Sequence, residues 1–289
     1  INNTKVYNIT AMGENDQGFI NNEATKTNSL TIVNSIFDKN TGRLGGIYGA
    51  RQNGQLIIKN TTFTNNLLTR GSGTVYAGGT TDISNSSFIN NAANGYSSSG
   101  TAIYNKGALV VNNSVFINNT LPTGKKGSII YNDYGGDCSI TYSILIPAGE
   151  GSALYNNYET IPTANYNWWG TNTNPKKYLD HGSDYDYDLE EETEYSDFKV
   201  DYWVVLDTKL TPSSDIPYGS TITITSTLNT YTDNNGVIKN LDSKLPDGVV
   251  VDYTSNKGVF DKTQTTIVDG TTTNEYTVTS PSAQINITQ

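Results

Sequence analysis

Apolar and polar residues alternate along roughly the first 160 positions in short runs that resemble one another. Such period-two alternation is typical of a strand with one buried face, and four runs ending in Phe show it: 30–37, 56–63, 82–88 and 109–116. A second motif, with Gly shortly before an apolar residue and Tyr, lies between them at Tyr48, Tyr76, Tyr104, Tyr131 and Tyr155. Because both motifs recur every 24–29 residues, the pattern predicts a solenoid of parallel strands rather than a row of hairpins.

The repeated Phe residues predict a ladder inside this solenoid. Residues Phe37, Phe63, Phe88, Phe116 and Leu145 follow one another at intervals of 26, 25, 28 and 29 residues. Adjacent coils lie about 4.8 Å apart, so these side chains should stack. Counting back one period places Met12 beside Phe37 and Ile20 beside Tyr48, which predicts that the repeat begins at the first residue and makes about six coils.

A polar residue follows each Phe at a fixed offset, as Asn40, Asn66, Asn91 and Asn119. We expect these Asn residues where each coil turns, because Asn tolerates a left-handed backbone. Their amides could also pair from coil to coil.

The combination of Phe-x-x-Asn with Gly-Gly-x-Ile/Val-Tyr resembles the repeats of the chlamydial polymorphic membrane proteins. It is still more similar to the methanogen adhesin-like proteins, which are archaeal surface proteins. The segment 165–175, with Trp168 and Trp169 before Gly170, strengthens the second resemblance. What this likeness implies is a right-handed parallel β-helix of the pectin-lyase type, displayed on the cell surface for contact with other cells.

The sequence divides into three parts. Residues 1–175 form the predicted β-helix, and we expect Trp168 and Trp169 to cap its open end, because terminal repeats need caps; ligand stacking is the alternative. Residues 176–199 form an acidic joint, with eight acids between positions 184 and 197. We interpret the joint as a solvated linker, and a hard-cation site is the alternative.

Residues 200–289 form a third part with a different strand pattern. Residues 221–225 alternate with period two, and turn signals lie at 233–236 and 246–248. About seven short strands favour a β-sandwich. Residues 245–253, followed by 257–260, resemble the bacterial Ig-like domains of invasin and intimin, which implies an Ig-like spacer module.

Composition narrows the partners. The formal net charge is −10, so nucleic acid is not expected to bind. The sequence has no apolar run of the roughly 18 residues that suggest a membrane span, and it starts at Ile1 without a signal peptide. We therefore expect a monomeric fragment of a longer surface protein, with any signal or anchor outside it. The single cysteine, Cys138, is interpreted as a buried, inert residue.

Catalytic motifs do not stand out. β-Helices also host polysaccharide lyases and hydrolases, which need a base with Ca²⁺ ligands or two or three convergent acids. Acids before residue 165 are sparse, and only Asp133 and Asp137 lie within one turn. Arg43, Arg51 and Arg70 are interpreted as loop charges, with an anion patch as the alternative. We predict no cofactor, no metal and no catalytic residue.

Seven Asn-x-Ser/Thr sequons would permit glycosylation, at Asn2, Asn8, Asn60, Asn85, Asn112, Asn118 and Asn286. The sequence thus predicts an extracellular adhesin fragment that contacts a surface glycan or protein of another cell. A stalk without a ligand is the second hypothesis, and a polysaccharide lyase or hydrolase is the third. The many Tyr residues motivate a glycan ligand, since aromatic faces stack on sugars.

Overall fold

The computed structural model describes residues 1–11, 18–21, 29–43, 45–48, 54–70, 73–95, 99–148, 152–186, 191–214, 216–280 and 284–289. Within these ranges the chain is all β, apart from the single 3-10 helix Pro175–Tyr178. Parallel stacked strands form a β-solenoid of about five turns. The predicted parallel repeat fold is confirmed, with about five turns instead of six.

Three long sheets, with strands numbered in chain order, run along the solenoid. The phenylalanine sheet holds β1 (Lys5–Tyr7), β4 (Ile36–Asp38), β8 (Thr62–Thr64), β12 (Ser87–Ile89), β16 (Val115–Ile117) and β19 (Ile144–Ile146). The tyrosine sheet holds β2 (Ile20–Asn21), β6 (Ile47–Tyr48), β10 (Val75–Ala77), β14 (Ile103–Asn105), β17 (Ile130–Asn132), β20 (Leu154–Asn156) and β22 (Leu179–His181). The third sheet holds β3 (Ser29–Val33), β7 (Gln55–Lys59), β11 (Thr80–Ser84), β15 (Ala108–Asn112), β18 (Asp137–Thr141) and β21 (Thr163–Asn165).

A short fourth sheet holds β5 (Thr41–Gly42), β9 (Leu67–Leu68) and β13 (Ala92–Ala93). Each sequence run that we interpreted as one strand is in fact two strands, separated by a bend at a left-handed Asn. The φ angles there are 52° at Asn34, 49° at Asn60, 48° at Asn85 and 48° at Asn113. Asn reaches this region more easily than other residues with a side chain, so it can turn the chain from the third sheet into the phenylalanine sheet.

The predicted Phe ladder is confirmed. Phe37, Phe63, Phe88 and Phe116 are fully buried, and their ring centroids follow at 5.0, 4.7 and 5.0 Å. Parallel pairing of the strands places each ring directly over the next, and Leu145 continues the column. The close match to the strand spacing means that pairing and packing enforce the same register.

A buried asparagine ladder lies beside the Phe column. The Nδ2 groups of Asn40, Asn66 and Asn91 donate to Oδ1 of the next Asn at 3.0, 2.9 and 3.0 Å. Nδ2 of Asn66 also donates to the carbonyl of Phe37, one coil above, at 2.9 Å, and this bond recurs in the following coils. The amide pairing that we predicted is therefore confirmed, and it satisfies polar groups that burial would otherwise penalise.

Two expectations about these coils are wrong. The left-handed backbone lies one residue before each ladder Asn, at Lys39, Asn65, Asn90 and Asn118, because the ladder Asn itself points inward. In the first coil, Val6 pairs with Phe37, and Ile20 pairs with Ile47 instead of Tyr48. The first turn is thus 31 residues long from Val6 to Phe37, and Met12 lies outside the described residues.

The two Trp residues face opposite sides of one chain segment, as neighbours in an extended strand do. Trp169 is 0 % exposed, belongs to the solenoid core and stacks on Tyr178 at 6.4 Å. Trp168 is 1 % exposed and packs with the C-terminal sheets. Both rings are therefore internal, and neither has a face free for a ligand.

Parallel pairing continues past residue 175. Strand β22 pairs with β20, and isolated parallel bridges join Thr163 to Lys199 and Asn167 to Trp203. Part of the acidic joint is an antiparallel hairpin, with β23 (Ser183–Asp186) paired to β24 (Glu191–Glu194). Trp203 and Val205 also belong to the solenoid core, so the solenoid uses residues that we had expected in the third part.

The C-terminal part consists of two antiparallel sheets. The larger holds β25 (Tyr202–Thr211), β26 (Thr221–Asp233), β27 (Lys239–Asn240), β29 (Val259–Phe260) and β31 (Thr271–Thr277). The smaller holds β28 (Val250–Ser255), β30 (Gln264–Thr266) and β32 (Ile285–Thr288). Residues from both sheets share one apolar cluster with Ile144 and Trp168 of the solenoid. Strand β25 begins against the solenoid and ends in the larger sheet, so the two parts share a strand as well as a core.

Phe88→Ala should lower the free energy of unfolding by about 3–5 kcal/mol, because a ring packed between two others leaves a cavity. Urea unfolding followed by far-ultraviolet circular dichroism measures the change. Ser87→Ala, on the outer face of the same strand, is the matched control. Equal losses of unfolding free energy for both substitutions would contradict the predicted contribution of the Phe ladder to stability.

Asn91→Ala should cost roughly 3 kcal/mol of unfolding free energy, because it leaves the amide of Asn66 and the carbonyl of Phe63 buried without their partner. Asn90→Gly is the control, since glycine keeps the left-handed backbone and should cost at most about 1 kcal/mol. Similar unfolding midpoints for the two variants would argue against an energetic role for the ladder.

Candidate functional site

A column of tyrosines lies on the outer face of the tyrosine sheet. Strand pairing aligns Tyr76, Tyr104, Tyr131 and Tyr155, and their ring centroids follow at 5.4, 5.5 and 4.9 Å. The rings stack nearly parallel, so their faces contact one another, and each ring is half-buried. We had expected exposed ring faces for sugar stacking, and this column does not provide them.

Asp133 connects the tyrosine column to the corner after β17 through hydrogen bonds and an ion pair. Its carboxylate accepts hydrogen bonds from the Tyr104 hydroxyl and from Nδ2 of Asn157 (3.1 Å), and it pairs with Nζ of Lys106 at 3.0 Å. Burial, with only 9 % of Asp133 exposed, acts to raise the pKa of Asp133. The hydrogen bonds from Tyr104, Asn157, the Tyr134 backbone and Lys106 outweigh burial, so the pKa is lowered from 3.8.

Exposed tyrosine does occur at the corner beyond the column. Tyr134 is 71 % exposed, and its ring meets Tyr158 of the next coil edge-on at 4.8 Å. Exposed aromatic side chains of this size provide contact area at a low cost in entropy. Tyr134 therefore presents exposed aromatic surface at this corner, with half-buried Tyr158 packed beside it.

A polar cavity of about 340 Å³ lies at the end of the tyrosine column. Its walls come from the turn before β17, from the end of β20 and from the β22–β23 connection with the hairpin, and they comprise Lys126, Tyr155, Asn157, His181, Gly182, Ser183 and Glu194. The Lys126 ammonium lies 5.0 Å from the Tyr155 ring centroid and 2.7 Å from Oδ2 of Asp180. The volume is within the range of small-ligand sites.

Sequence reasoning missed most of this cavity. His181 stood out only as the single histidine, and Glu194 only as one acid in a run. The available signal was positional: Lys126 precedes the Gly127 corner, Asn157 follows the Tyr155 strand, and their coils are adjacent. Only pairing of β22 with β20 shows that the joint folds back beside them.

A second cleft, of about 540 Å³, lies where the solenoid meets β25 and β26. The 172–174 loop forms one wall and is pinned to the strand by Asn172, which exchanges hydrogen bonds with the Leu206 backbone at 2.7 and 3.0 Å. Trp203, Val205 and Ile238 contribute apolar surface. The cleft is thus a groove beside the strand that both parts of the protein share.

The remaining candidate residues are dispersed. Arg43 and Arg70 lie on adjacent coils, joined by a backbone hydrogen bond of 2.9 Å, and Arg51 is outside the described residues. Glu192 of the acidic hairpin accepts a hydrogen bond from Ser183. Across the ranges that the structure describes, no three His, Cys, Asp or Glu side chains are grouped to hold a metal ion.

Cys138 and the sequons are located as follows. Cys138 is buried on the inner face of the third sheet, and burial raises the pKa of its thiol. The sequon residue Asn112 is half-buried, and the other sequon residues are exposed, namely Asn2, Asn8, Asn60, Asn85, Asn118 and Asn286. Six of the seven acceptor side chains are thus reachable from solvent.

In comparisons with known proteins, no protein-family model, curated protein or solved structure matches the chain. None of the described residues belongs to a helix with the length and apolar character needed to span a bilayer.

Asp133→Asn should destabilise the folded chain at pH 7, because the charged carboxylate accepts the bonds from Tyr104 and Lys106. A folded-state pKa lowered from 3.8 means that this stability is present above that value and is lost as the pH falls through the folded-state pKa. Urea unfolding should therefore show a lower free energy of unfolding for Asp133→Asn than for the unmodified chain at pH 7. The gap between the two free energies should be smaller at pH 3. Asp82→Asn, on the outer face of the third sheet, is the control for losing a carboxylate elsewhere on the solenoid. A pH-independent difference for Asp133→Asn would contradict the linkage.

Proposed function

We propose that this chain is an extracellular fragment of a cell-surface adhesin, which contacts a glycan or a protein of another cell. The observation that carries the proposal is the exposed Tyr134 ring, which packs edge-on against half-buried Tyr158 next to a wall residue of the polar cavity, Asn157. The buried Phe and Asn ladders complete the interior, so binding groups are left on the outer surface. The net charge of −10 favours solubility and disfavours nucleic acid.

The finer fold belongs to the same proposal. The β-helix is right-handed and of the pectin-lyase type, as its resemblance to the methanogen adhesin-like proteins implies. The C-terminal sheets form an Ig-like sandwich that acts as a spacer and keeps the solenoid away from the surface to which the protein is anchored. The fragment acts as a monomer, without a cofactor and without catalysis.

A structural stalk is the alternative function, and one observation favours it. The shared strand β25 and the common cluster around Trp168 join the solenoid to the C-terminal sheets over a buried contact. A joint of this kind suits a rigid rod, which needs no ligand of its own.

Adhesion should be measured with the purified chain coupled to fluorescent beads, applied to a glycan array and to intact cells. We expect Tyr134→Ala to lower the affinity for the retained ligand or cell roughly tenfold, which is about 1.4 kcal/mol of binding free energy. The reason is that aromatic side chains contribute a large share of contact energy. Tyr218→Ala is the matched control, since Tyr218 is also strongly exposed but lies in the proposed spacer. Absence of retention on both the array and the cells would favour the stalk.

A further inference from the structure

The polar cavity contains hydrogen-bonding groups that the described residues leave unused. The Tyr155 hydroxyl, Nε2 of His181 and the Glu194 carboxylate have no hydrogen-bond partner within that part of the chain, although each residue lines the cavity. By contrast, Nζ of Lys126 is engaged by Asp180 at 2.7 Å. The cavity therefore offers one hydroxyl, one imidazole nitrogen and one carboxylate at its wall.

This combination of groups fits a ligand that both donates and accepts hydrogen bonds over a small area. A hydroxyl group does both, and a carboxylate accepts two bonds from adjacent hydroxyls. Ring stacking inside the cavity is prevented, because one face of Tyr155 contacts Tyr131 at 4.9 Å and Lys126 lies over the ring at 5.0 Å. Recognition there rests on hydrogen bonds to a polyhydroxylated ligand.

The charge balance selects among such ligands. Asp180 neutralises Lys126, whereas the Glu194 carboxylate has no ion-pair partner among the described residues. An acidic sugar would bring a second carboxylate next to Glu194, while the Lys126 ammonium is already engaged by Asp180. Neutral sugars avoid this repulsion and can donate hydroxyl protons to Glu194.

Gly182 sets the shape of the site. A Cβ atom there would collide with Oδ1 of Asn157 and would approach the Tyr155 hydroxyl at 3.1 Å. The absence of a side chain therefore keeps these two polar groups close to the connection between β22 and β23. A larger residue at this position would have to displace the Asn157 side chain, which is one wall of the cavity.

We propose that the polar cavity binds one ring of a neutral saccharide through Tyr155, His181 and Glu194. The exposed Tyr134 ring and half-buried Tyr158, which follow Asp133 and Asn157 along the chain, support the adjoining part of the saccharide. This inference rests on the proposed adhesin function and names the ligand class and the residues that function would use.

The test is saturation-transfer difference NMR of the whole chain with separate probes: tetrasaccharides of mannose, of glucose and of N-acetylglucosamine, and tetragalacturonate as the acidic probe. We expect transfer to at least one neutral probe and weaker transfer to tetragalacturonate. Tyr155→Phe and Glu194→Gln should each weaken affinity for that neutral probe by roughly tenfold, the size expected for losing one hydrogen bond, larger where the group is charged.

Tyr131→Phe is the matched control, because it removes the same hydroxyl one coil away, outside the cavity. It should bind like the unmodified chain, and circular dichroism should show all three variants folded. Unchanged binding by both cavity variants would overturn the site while leaving glycan adhesion intact.

Stronger transfer to tetragalacturonate would overturn the neutral ligand class. No transfer to any probe, with cells still retained on chain-coated beads, would overturn the saccharide site and leave adhesion to a protein; loss of both would overturn the adhesin function as well.

Discussion

Coil-to-coil stacking at one fixed spacing is the constraint on which the rest of this molecule depends. Parallel strands repeat at about 4.8 Å, the buried Phe rings repeat at nearly the same distance, and each buried Asn amide donates a hydrogen bond to the Asn of the next coil. A slip of one residue would turn a ring outward and bring a polar side chain into the core. It would also separate each Asn from its partner, leaving buried amides unsatisfied. Packing and hydrogen bonding thus select the same register.

This interior register is transmitted to the outer surface. Because successive strands align Tyr104 over Tyr131 and Tyr155, their rings stack into a column whose faces are already in contact. The same alignment brings Asp133 within reach of Tyr104 from the coil above and of Asn157 from the coil below. A long tyrosine surface is therefore mostly structural, and groups available to a ligand are concentrated where the column ends.

The end of the column is also where the chain leaves the regular repeat. Strand β22 adds one more rung to the tyrosine sheet, but places Asp180 instead of Tyr beneath Tyr155. The chain then makes the acidic hairpin and returns to pair beside β21 before it enters the C-terminal sheets. The departure from the repeat creates both the polar cavity and the shared strand, so the candidate site and the junction between the two parts have the same origin.

The sequence by itself determined the all-β solenoid, its period and its Phe and Asn ladders, because a repeat imposes the same residue types at the same rung on each coil. It could not determine the first coil, where Val6 replaces Phe and the turn is 31 residues long. It also could not show that Trp168 and Trp169 face two different cores. Only the tertiary structure brings Lys126, Asn157 and Glu194 around one cavity, because they belong to no repeated motif and meet only when separate coils and the hairpin pack together.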